Sequence, residues 1–198
     1  MTSNIAELVE QVRKLEDQIS AALAATRESI DYELHERKVV FEKEVLERHH
    51  QLKTGLFRFL RTAPFLTVLT APVIYSLIVP VALLDLSVSM YQWICFSAWG
   101  VPRVRRSEYI VIDRQYLAYL NGIEKLNCVY CGYANGVIAF AREIAGITEQ
   151  YWCPIKHAHQ SAGRHERALE FLEYGDAENW RKSLGELRKK LKELEQPR

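Results

Sequence analysis

Four side chains have the types and spacing that metal chemistry asks for. Cys128 and Cys131 form a C-x2-C pair, and Cys153 and His157 form a C-x3-H pair 22 residues beyond Cys131. Two residues between cysteines let a tight turn aim both sulfurs at one ion. Gly132, directly after the second cysteine, suits such a turn because glycine takes φ > 0 without strain. On a helical turn, Cys153 and His157 would project from the same side at i, i+4. Three thiolates and one imidazole complete a closed tetrahedral Cys3His set for zinc, a borderline-soft ion. A [2Fe–2S] cluster on the same four ligands is the alternative cofactor, and a dithiol couple at Cys128 and Cys131 a third use of the pair. His159 is a second candidate imidazole two residues past His157. Cys95 reads as a small buried hydrophobe, and Tyr130, Tyr133, Tyr151 and Trp152 as a packing shell around the site.

Little else in the chain suggests catalysis. There is no Walker loop, Rossmann fingerprint, H-E-x-x-H or G-x-S-x-G motif, so an enzyme is the less favoured class. Glu47-x-x-His50 has the spacing of di-iron carboxylate bundles, but no second copy accompanies it, and it reads as a charged helix face.

The elements that would position the cysteines follow from composition. The 198 residues carry 26 Lys/Arg and 25 Asp/Glu, a net charge of +1 that argues against a nucleic-acid partner. The charge is unevenly spread: between Arg61 and Arg103 the only charged side chain is Asp85. The 23 uncharged residues from Thr62 to Leu84 match the roughly 20 that a membrane-crossing helix needs, and the 17 from Leu86 to Pro102 fall short. Lys53, Arg58 and Arg61 precede the apolar block, and Arg103, Arg105 and Arg106 follow it. A membrane hairpin over 63–100, turning near Pro80 to Asp85, would keep both basic clusters on the cytoplasmic side and bring Asp85 to its tip. The lipid bilayer is thus an expected partner, and a reducing compartment would keep the cysteines as thiols.

Residues 1–62 read as one long coiled-coil helix. Asn4 and Glu7 are spaced as a capping box, and Ile5, Leu8, Val12, Leu15 and Ile19 step by three and four. The stripe resumes at Ile30, Leu34, Phe41, Val45 and Leu52, with no Pro or Gly before Gly55. Such a coil implies self-association or a partner protein. Residues 101–168 form a small metal-binding helical module, with an apolar helix face from Ala134 to Ala145. Residues 169–198 carry an amphipathic helix through Trp180, Leu184, Leu187, Leu191 and Leu194. The expected protein is a mainly α, membrane-anchored scaffold or assembly protein with a structural zinc site; a membrane-bound redox protein is the alternative.

Overall fold

The computed structural model describes residues 7, 10–12, 14–19, 21–22, 32–35, 38–41, 43–159, 163 and 165–194. The chain is mainly helical. Asn4 and the stripe positions Ile5, Leu8 and Ile30 lie outside the described residues. Residues 10–12, 14–19 and 21–22 are helical, and Val12, Leu15 and Ile19 are each more than half exposed there.

The single helix expected over 1–62 is corrected by a hairpin. Strands β1 (Tyr32–His35) and β2 (Lys38–Phe41) pair antiparallel, with Tyr32 opposite Phe41 and His35 opposite Lys38. Tyr32, Val39, Val40 and Phe41 are the aromatic and β-branched types that suit strands, and this local preference outweighs the helical spacing of Leu34 and Phe41. Helices α1 (Lys43–Leu52) and α2 (Leu56–Thr62) follow, separated at Gly55. The edge-on contact of the His49 ring with Tyr119, centroids 5.1 Å apart, fixes α1 to the rest of the chain.

The expected membrane hairpin is also corrected. Helices α3 (Phe65–Ser76) and α4 (Ile78–Trp99) are separated only by Leu77, itself in right-handed helical conformation at φ −64° and ψ −14°. The block therefore runs on in one direction. Pro80 does not reverse it because it is the third residue of α4, where the backbone N–H it lacks would have no intrahelical acceptor. Gly100, at φ +69°, ends α4, and the Val101 N–H closes back onto the Phe96 carbonyl at 2.9 Å.

From there the chain doubles back as a strap beneath α4. The Val104 N–H donates to the Gln92 side chain at 2.9 Å, and Arg106 reaches Asp85. A short helix α5 (Arg106–Tyr109) and a 3-10 turn (Arg114–Tyr116) complete the strap. Helix α6 (Gly122–Trp152) then begins under a full capping box: Asn121 Oδ1 accepts from the Ile123 and Glu124 N–H groups, and Glu124 accepts from the Asn121 N–H. Asp113, at the start of the 3-10 turn, makes no side-chain cap.

Helices α4 and α6 run parallel. Tyr75 bonds Asn127, Tyr133 bonds Asp85, Tyr91 bonds Thr148, and Trp99 stacks on Tyr151, so positions rise together along both. Two glycines let the strap pass close to α6. A Cβ on Gly136 would stand 2.7 Å from the Tyr109 carbonyl oxygen and 2.8 Å from Ile110 Cα, and one on Gly132 would stand 3.1 Å from the Val111 oxygen. The core is Phe96, Val101, Phe140, Ile144, Ile147 and Leu191. Leu191 comes from α7 (Trp180–Lys192), whose Leu184, Leu187 and Leu191 are all buried; this C-terminal stripe is used inside the chain. Arg188 fixes α7 by donating to the Tyr151 carbonyl at 2.8 Å, capping the end of α6, while its guanidinium lies over the Tyr151 ring at 4.6 Å.

Candidate functional site

The two halves of the proposed metal set lie far apart in this fold. Cys128 and Cys131 are inside α6, and Cys153 is the residue that caps its other end. At ~1.5 Å rise per residue, the helix holds Cys131 and Cys153 roughly 33 Å apart. Gly132 is helical; it is small because the strap crosses it, and no turn is made there. Cys153 and His157 do not share a helical turn either, since Pro154 follows Cys153 and Ile155 pairs in a parallel bridge with Leu172. His157 and His159 are both exposed. Partial desolvation of its thiol, and then the Glu149 carboxylate, push the Cys153 pKa up, which favours the thiol over the thiolate that a metal requires. All four cysteines are free thiols, and among the described residues no three His, Cys, Asp or Glu side chains gather in a metal-binding group.

What the fold does present is an apolar helix face that nothing covers among the described residues. Within the run Phe65–Trp99 the most apolar 18-residue window has a mean hydropathy of 2.1, and none of that window is buried. In α4 the division is sharp. Asp85, Gln92 and Phe96 are buried toward the strap and α6, with Val88, Tyr91, Cys95 and Trp99 packed beside them. Val79, Leu83, Leu86, Met90, Trp93 and Ile94 are each more than half exposed on the other side. The steps of three and four among these residues keep them on one stripe. Several hydroxyls along the run bond within the helix: Thr70 donates to the Leu66 carbonyl, Ser76 to Val73 and Ser97 to Trp93.

Behind this face lies the charge that the apolar block contains. Asp85 is 7% exposed and accepts from Arg106 Nε at 3.0 Å and Arg106 Nη2 at 2.6 Å, and from the Tyr133 hydroxyl at 2.9 Å. Three elements thus meet on one carboxylate: α4, α5 and α6. The hydrogen bond and charge of Asp85 raise the Arg106 pKa above its already high ordinary value, so the pair stays ionised. Burial and the Asp85 hydroxyl contact push Tyr133 up as well, keeping it a donor. Asp85 is therefore a structural hub in the middle of α4, not the tip of a hairpin. Sequence inspection missed both partners; the clue was Arg106 standing 21 residues beyond the one acid of an apolar block.

A second polar cluster fastens the 3-10 turn Glu166–Glu170 to α6. Arg167 donates to Glu143 at 2.6 Å and to Gln150 at 3.2 Å, and His165 lies 2.7 Å from Glu149. Of these groups Glu143, His165 and Arg167, together with Tyr109 and Arg142, line a cleft of about 500 Å³. Burial, and then Glu143, push the Tyr109 hydroxyl above the usual tyrosine range, so it remains protonated near neutral pH. Within the cleft Glu143 pairs with Arg167, while Glu170 reaches Lys190 outside it at 2.9 Å. Comparison of the chain with protein-family models, curated proteins and solved structures gives no match.

Proposed function

We propose that this protein is a membrane-bound helical scaffold that works by position, not by chemistry. The α3–α4 run would hold the chain to a bilayer, and the domain built from α4, the strap, α6 and α7 would be displayed beside it. The observation that carries this is the row of exposed Val79, Leu83, Leu86, Met90, Trp93 and Ile94, continued by Phe65, Leu66, Leu69 and Val73. Burying so much apolar surface is a strong driving force at ~25 cal/mol per Å², and among possible coverings a lipid surface needs no matching polar groups. Basic Arg58 and Arg61 before the run and Arg103 after it are exposed and fit anionic headgroups. The exposed Val12, Leu15 and Ile19 stripe would recruit a second copy or a helical partner as a coiled coil. A zinc module forms no part of this proposal, because α6 separates its two halves.

The test is flotation of the purified full chain with phosphatidylcholine–phosphatidylglycerol vesicles, followed by an alkaline carbonate wash. The expected result is recovery of the chain with the vesicles after the wash. A monodisperse chain that needs no detergent and stays at the bottom of the gradient would overturn the proposal.

A further inference from the structure

We infer that the α3–α4 run lies in the plane of one leaflet instead of crossing the bilayer; this rests on the membrane-bound reading above. Length is the first argument. The 35 residues of Phe65–Trp99 extend roughly 52 Å at ~1.5 Å each, against a hydrocarbon core of about 30 Å. Containing the whole run would need a tilt of about 55°, beyond the roughly 0–40° that spanning helices adopt.

A shorter crossing by residues 65–84 meets a different obstacle. Its centre would be Ile74 and Tyr75, and α6 is docked there. The Tyr130 hydroxyl donates to the Ile74 carbonyl at 2.8 Å, and Tyr75 is bonded to Asn127. One turn away on α6 are Glu124 and Lys125, so a crossing would carry two ionisable side chains and the Asn121 cap toward the bilayer centre. It would also leave Leu86, Met90, Trp93 and Ile94 uncovered, each more than half exposed.

Lying flat removes both difficulties. The stripe Phe65, Leu69, Pro72, Ser76, Val79, Leu83, Leu86, Met90, Trp93 and Ser97 advances by alternating steps of four and three, so one edge of the whole run can face lipid at a constant depth. Asp85, Gln92 and the domain they hold are on the opposite edge, with Arg106 and the polar ends of α6 in water. Both ends of the chain then remain on one side of the membrane.

The experiment places one nitroxide at a time at positions 69, 79, 86 and 94 of the full chain, with Cys131 and Cys153 replaced by serine, in the same vesicles. Immersion depth is read from the relative accessibility to oxygen and to a water-soluble nickel chelate. In-plane binding gives four similar depths, all within about 5–10 Å of the headgroup boundary. Positions 69 and 79 immersed while 86 and 94 are both in water would show a crossing and overturn the inference. Strong spin–spin broadening without oxygen access would show that a second copy covers the stripe, and would overturn it too. Failure of the labelled chains and of the unlabelled chain to float with vesicles would instead defeat the membrane-bound reading itself.

Discussion

The Asp85–Arg106–Tyr133 contact makes an asymmetric prediction. Asp85 has a side chain only 11% exposed, whereas the Arg106 side chain is 50% exposed. Replacing Arg106 by Met leaves a buried carboxylate with hydroxyl donors alone, Tyr133 and Ser89. Removing one partner of a fully buried pair costs about 3–5 kcal/mol, and the half-exposed arginine reduces that to roughly 2 kcal/mol here. Replacing Asp85 by Leu has a milder effect, about 1 kcal/mol, because the released guanidinium can turn to solvent. The double variant Asp85→Leu/Arg106→Met leaves no buried charge and should lose only about 1 kcal/mol in total. The two single effects then exceed the double by roughly 2 kcal/mol, well above the additivity error of about 0.5 kcal/mol. Urea unfolding of the four proteins at one detergent concentration, followed by circular dichroism, measures this directly. Additive effects, or an Asp85 variant less stable than the Arg106 variant, would refute the assignment of Asp85 as the buried member of the pair.

Two glycine substitutions should move stability in opposite directions. Gly136→Ala forces a Cβ against strap backbone at 2.7 Å and is expected to cost about 1–3 kcal/mol, whereas Gly185→Ala in α7 meets nothing within 4 Å and should gain about 0.5–1 kcal/mol. Thermal melts check both, and a stabilising Gly136→Ala would mean that the strap does not cross α6 there. For the cysteines, the roughly 33 Å between Cys131 and Cys153 predicts well under one zinc per chain by elemental analysis after reducing purification, and a Cys128→Ser melt within about 0.5 kcal/mol of the parent. One tightly held zinc per chain, with stability lost on chelation, would require α6 to break between the cysteines.

The apolar block was legible because its signal is the absence of charge over a long window, which no local competition can hide. Its direction was not. The basic flanks, Lys53, Arg58 and Arg61 before the block and Arg103, Arg105 and Arg106 after it, favour a hairpin, whose tip would relieve the cost of a lone acid. Arg106 satisfies that acid where it stands, by way of a strap whose return no periodicity reveals. The C-terminal stripe was legible as a helix, and its three buried leucines follow the expected spacing. Its docking on α6 was not, because a leucine stripe specifies a partner's apolarity but not its identity.

The cysteine pair is helical here for an instructive reason. C-x2-C followed by glycine looks like a turn when read alone, and the residues that make it helix lie outside it. Asn121 and Glu124 cap α6 at its start, and Gly132 and Gly136, four residues apart, mark a face that another backbone approaches. A cap at one end and small residues along one side outweigh the turn preference of a single glycine, so the helix continues through both cysteines to Pro154. The same geometry gives the chain its two distinct surfaces. One side of α4 is committed to a carboxylate, an amide and an aromatic core that only a water-facing domain can accommodate. The other carries hydrocarbon at every third or fourth position. A helix divided in this way is what the in-plane placement proposed above requires.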